Sequence, residues 1–152
     1  MAVDVTIAFV FHLLFAGLWA GTILFVTYAV IPSGLDGDLT PELFETVVDR
    51  LTTINRVTAV VALLTGGHLA GNLYTVETLT GTGRGHLVLA MLVLWFVTTA
   101  LVEVAASRMN DGLSADKVRT PAADGRPFLL GASLLVVLLL VDGGLLASGF
   151  GG

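Results

Sequence analysis

Four apolar stretches, each long enough to cross a lipid bilayer as a helix, occupy most of this 152-residue chain. About 20 residues of α-helix span the roughly 30 Å of hydrocarbon, and the runs at 5–31, 54–74, 86–106 and 128–148 all reach that length. Inside lipid every backbone N–H and C=O must be paired within the protein, so runs of this kind fold as helices. The predicted fold is all-α: an integral membrane four-transmembrane-helix bundle, one domain over residues 1–152. Composition agrees, with 55% hydrophobic and 12% charged residues, about half the charged share of a soluble domain. No basic residue precedes the first run, which is too long for the core of a secretory signal, so it reads as a mature helix.

The connections carry their own signals. The first run is expected to stop at Pro32-Ser33-Gly34. Thr40-Pro41-Glu42 then supplies an N-cap, a proline at the first helical position and an acid in the first turn. Leu43, Phe44, Val47, Val48 and Leu51 recur at helical spacing opposite Glu42, Glu45 and Asp49. They predict a short amphipathic helix on the membrane surface between helices one and two. Residues 110–125, rich in Asp, Gly, Ser and Pro, predict a loop.

Basic residues set an orientation. The connections between helices one and two and between three and four hold Arg50, Arg56, Arg108, Lys117, Arg119 and Arg126, whereas the opposite side holds Arg84. The positive-inside rule places both termini outside a multi-pass chain in the cell membrane. The chain has no cysteine and a net charge of −5, so disulfides, thiolate metal sites and c-type haem attachment are excluded. With no basic patch to neutralise phosphates, nucleic acid is not an expected partner. The acidic, lysine-poor balance is halophile-like, since high salt screens such self-repulsion.

Ionisable residues within the bilayer are functional candidates because burying them is costly. They are His12, His68, His86, Glu103 and Asp142. At 1.5 Å per residue, His12, His68 and Asp142 fall at similar depth below the outer surface, with His86 at the outer mouth of the third helix. Thr58, Thr65, His68, Asn72 and Thr75 form a stripe expected to face protein. His12 and Trp19, seven apart, share a face. Gly17-x-x-x-Gly21 and Gly67-x-x-x-Gly71 are small-xxx-small patterns expected to bring helices close together. Asp142 is expected as a partner of a histidine or an arginine, Glu103 as an interfacial residue paired with Arg108 or wetted.

The stretch from Phe11 to Gly21, Phe-His-Leu-Leu-Phe-Ala-Gly-Leu-Trp-Ala-Gly, resembles the first-helix signature of the copper-resistance D (CopD-like) membrane domain. Arg56 ahead of Leu63-Leu64-Thr65-Gly66-Gly67, and Gly85-His86-Leu87 at the head of an apolar run, extend the resemblance over the whole chain. It implies copper handling, with His12 and His86 on the family's histidine positions. A more distant likeness to the HemJ-type protoporphyrinogen oxidases implies haem b. However, Val88 stands where that group has a lysine, and Val30-Ile31-Pro32 where it has an arginine and a histidine, so the oxidase activity does not transfer.

Ligand chemistry leaves copper and haem b both open. Cu(I) prefers sulfur ligands, which this chain barely has, whereas imidazoles suit Cu(II) or the axial positions of haem iron. The expected function is a histidine-coordinated metal centre near the outer face, serving metal transport or electron transfer. His12, His68 and His86 would be the ligands and Asp142 a supporting carboxylate. The alternative is a cofactor-free structural or accessory membrane subunit; a HemJ-like oxidase is third. The lipid bilayer is the expected partner, with a homo-oligomer or another membrane subunit as further possibilities.

Overall fold

A computed structural model describes residues 2–113 and 117–150, and every regular element among them is helical. They are α1 (Val3–Phe25), a π-helical turn (Val26–Val30), α2 (Ile31–Asp36), α3 (Pro41–Leu73), α4 (Val76–Gly81), α5 (Gly83–Leu113) and α6 (Arg119–Ala147). Along the chain α1 packs on α3, α3 on α5 and α5 on α6, while α6 closes the ring against α1 and α2. The result is an antiparallel bundle of four long rods. Three of them, Val3–Asp36, Gly83–Leu113 and Arg119–Ala147, are long and apolar enough to cross a membrane.

The first rod runs past the stop predicted at Pro32. Proline lacks an N–H and collides with the carbonyl four residues back, which usually breaks a helix. Here the preceding turn widens instead, and the Ile31 N–H reaches back five residues to the Val26 carbonyl. The helix ends at Gly37, whose φ of 85° is open to glycine at little cost. Gly37 N–H bonds to Gly34 O and Asp38 N–H to Ser33 O, pairing two terminal carbonyls.

The predicted surface helix and the second span are one continuous rod of 33 residues. Thr40 caps it by accepting from the Leu43 N–H. Glu42 in its first turn is held below the usual carboxylate range by its own backbone N–H and by the Thr40 hydroxyl. The apolar stripe does not rest on a membrane surface: Phe44, Val48 and Leu51 are almost fully buried in the bundle core. Amphipathic periodicity marks a face to be covered but not what covers it.

The loop predicted for 110–125 is mostly helix. α5 continues to Leu113 and α6 begins at Arg119; residues 114–116 lie outside the described residues. The glycines and prolines read as turn formers instead let two helices approach. A Cβ at Gly112 would sit 2.7 Å from Pro121 Cγ, and one at Gly125 2.6 Å from Met109 Cγ. Pro121 lies in the first turn of α6, where its missing N–H costs nothing.

Large apolar residues line the outside. In the most apolar 18-residue stretch of α5 only 11% of residues are buried, and Leu14, Leu64, Val93, Phe96 and Leu134 are all more than half exposed. An apolar exterior on this scale needs a non-aqueous surrounding. The structure is that of an all-α, multi-pass membrane protein.

Candidate functional site

The most connected polar group in the bundle lies between α1, α3 and α5. Trp19 Nε1 donates to Asn55 Oδ1 at 2.8 Å, and Asn55 Nδ2 donates to Glu103 Oε1 at 3.0 Å. Arg56 then grips Glu103 from the next position on α3, with Nη2 2.8 Å from Oε2 and Nε 3.2 Å from Oε1. Asn55 is completely buried, and its amide is oriented by an indole donor on one side and a carboxylate acceptor on the other. Glu103 is therefore the partner of Arg56, not of Arg108 as expected. A second buried pair ties α1 to α6: Ser133 donates to Thr27 Oγ1 at 2.9 Å, and the Thr27 hydroxyl donates to the Ile23 carbonyl. Neither Asn55 nor the Thr27–Ser133 pair was singled out from sequence. All three are polar residues within apolar runs, and Asn55, three residues before Thr58, extends the polar stripe of α3 by the same helical spacing.

The histidines go separate ways. His12 is half-buried on the inward face of α1, where its Nδ1 is 2.9 Å from Thr65 Oγ1 on α3. It shares that face with Trp19, and both point at α3, as the seven-residue spacing implies. His68 is exposed on α3; its Nε2 is 3.3 Å from Asp4 Oδ2 at the start of α1, and Asn72 donates to its backbone carbonyl. Its position lies well off the buried line of Asn55, Thr58, Ala62 and Leu69. The polar stripe therefore splits: Thr58 and Thr65 turn inward, while His68, Asn72 and Thr75 are exposed. His86, also exposed, uses Nε2 to bond the Thr80 carbonyl at the end of α4, 2.9 Å away. Gly85 beside it permits the close contact of α4 with α5, because a Cβ there would collide with the Thr78 and Leu79 carbonyls.

Asp142 is 6% exposed, and among the described residues neither carboxylate oxygen has a hydrogen-bond partner. It thus supports no histidine and pairs with no arginine. Trp95 Nε1 is likewise buried and unpartnered. Arg84, the cation on the termini side, donates to the Leu146 carbonyl near the end of α6.

These positions correct the predicted metal centre. A copper or haem site needs donors that converge from several helices on one point. Among the described residues no group of three or more His, Asp or Glu side chains is placed to hold a metal ion. His12, His68 and His86 each bond a different neighbour, and Asp142 bonds none. Equal depth along the helices did not bring them together, because rotation about each helix axis turned His68 and His86 outward.

The small-residue patterns are corrected too. A Cβ at Gly17, Gly21, Gly67 or Gly71 would meet nothing within 4 Å. Those faces do not bring helices of this chain together. Glycines that do include Gly34, against Phe44 and Ala122, Gly66, against the His12 ring on α1, Gly85 between α4 and α5, and Gly112 and Gly125 between α5 and α6. Compared with protein-family models, characterised proteins and solved structures, the chain matches none.

Proposed function

We propose that this chain is a four-span structural or accessory membrane subunit whose polar side chains hold its own helices in register. The observation that carries this reading is the Trp19–Asn55–Glu103–Arg56 chain, in which each polar side chain is taken up by another of the same protein. In lipid there is no hydrophobic drive between helices, so interhelical hydrogen bonds and close packing fix the arrangement. α3 acts as the fourth span: it runs antiparallel between α1 and α5 and ends in an uncharged segment after Arg56. The six-to-one bias of basic residues supports termini outside and the ends of α2 and α5 inside. The motif from Phe11 to Gly21 supports kinship with the CopD-like domain in fold.

Two experiments test this. The chain has no cysteine, so Asp38→Cys and Thr80→Cys each introduce a single reporter. In intact cells a membrane-impermeant maleimide should label Thr80→Cys and spare Asp38→Cys; the reverse pattern inverts the topology, and labelling of both removes the fourth span. Purified protein offered haem b or Cu(II) should retain neither in stoichiometric amount. Retention of one equivalent that is lost in His12→Ala would overturn the structural reading.

A further inference from the structure

A groove of about 520 Å³ runs between α1 and α3 on the outside of the bundle. Gly17, Gly21 and Phe25 form one wall, and Val47, Leu51 and Ile54 the other. It is an open trough: no side chain rises from the two glycines, and nothing else among the described residues lies within 4 Å of where a Cβ would stand.

No charged residue lines the groove itself, but Arg50 stands next to its lining residues on α3. Arg50 is three residues after Val47 and four before Ile54, which puts all three on one side of α3. Arg56, by contrast, reaches the opposite way to Glu103 on α5. Arg50 is exposed, and among the described residues it has no hydrogen-bond or ion-pair partner. Of the acids of the same segment, Glu45 lies on the far side of the helix from Arg50 and Glu42 and Asp49 about a quarter turn away, and α1 has no charged residue after Asp4. The pairing of Asn55 and Arg56 with Glu103 sets α3 against α5 in antiparallel register. It brings Arg50 level with the stretch around Arg108, the first charge beyond the apolar run of α5. That is headgroup depth, reachable by a long side chain rooted in an apolar surface.

We infer that this groove binds an anionic phospholipid, with an acyl chain along Gly17, Gly21 and Phe25 and the headgroup phosphate on the Arg50 guanidinium. The inference rests on the membrane reading above. A second copy of the chain is the less favourable occupant. A two-fold interface through this groove would bring Arg50 against its own counterpart at the same depth, whereas a phosphate neutralises it.

Native mass spectrometry of the full chain in detergent with equimolar dioleoyl-phosphatidylglycerol and dioleoyl-phosphatidylcholine tests this. The protein should retain one phosphatidylglycerol with about five-fold preference, the contribution of one interfacial arginine at about 1 kcal/mol. Arg50→Gln should erase the preference, while Arg126→Gln, on α6, should leave it. Gly21→Leu should fold, having open space for its side chain, and should lose both lipids. Equal retention of the two lipids by the wild type, or an unchanged preference in Arg50→Gln, overturns the proposal. So does a Gly21→Leu variant that turns a dimer into a monomer without affecting lipid, which assigns the groove to a second copy. Failure of the membrane reading would look different: the protein would stay monodisperse without detergent.

Discussion

The two ends of the bundle pack very differently. At the end away from the termini, Ile23, Ile31, Phe44, Val102, Met109, Ala122 and Leu129 have no exposed surface. At the termini end Phe9, Phe11, Leu13 and Leu14 on α1 and Leu64 on α3 are exposed, and few residues besides Val5, Leu69, Gly85 and Asp142 are buried. Surroundings account for part of the contrast: Phe44 and Met109 lie beyond the level of Arg50 and Arg108, where an exposed apolar side chain would meet water, whereas lipid around the other end is as apolar as leucine. Complementary size adds to it. In the packed end a small residue meets a large one: Gly34 takes Phe44 and Gly125 takes Met109. In the termini half Gly66 takes the His12 ring, but Gly67, Gly71 and Gly144 face nothing among the described residues. A small residue brings helices together only when a knob from the facing helix enters the space it leaves.

The contrast is broken most easily with glycine substitutions. Gly125→Leu puts a side chain where Met109 already lies and should cost about 3 kcal/mol, whereas Gly71→Leu should change stability by less than about 0.5 kcal/mol. Thermal denaturation in detergent reads both. Equal losses from the two variants would mean that the ends pack alike.

Next in size is Asn55→Leu. It leaves the Trp19 indole N–H without an acceptor and takes one of the Glu103 hydrogen bonds, a cost of about 2 kcal/mol. His12→Ala, removing one half-buried bond to Thr65, should cost about 1 kcal/mol. If His12→Ala proves the more damaging, the termini half holds the bundle together and the ranking of the two ends is reversed.

The smallest effect has the opposite sign. Asp142 buries both carboxylate oxygens with no partner, so Asp142→Leu should raise stability by about 1 kcal/mol. A lower melting temperature in this variant would show that the carboxylate has a partner in the protein's working state, and would make the termini half a site rather than a loosely filled end.

Much of this architecture was legible before any coordinates. Apolar length gave the membrane class, and the seven-residue spacing of His12 and Trp19 gave their common face. Thr40-Pro41-Glu42 marked the start of α3 to the residue. The sequence misled where local propensity and tertiary packing compete. Pro32 and the segment with Gly112, Pro121 and Gly125 carry breaker residues. A widened turn absorbs the first, and the second is a tight contact between α5 and α6, whose small residues are needed for close approach.

The sequence by itself determined that several helices are long and apolar enough to span lipid, which positions along each are polar, and how far apart those positions lie on the helix surface, because rise and period are properties of one chain segment. The tertiary structure alone decided which polar group meets which. Glu103 took Arg56 rather than Arg108, His68 took Asp4 rather than a shared metal, and Asp142 took nothing. A partner depends on the rotation of each helix about its axis and on its register against the next. In lipid both follow from how side chains of unequal size interlock across the contact, information that is distributed over several helices and carried by no single stretch of sequence.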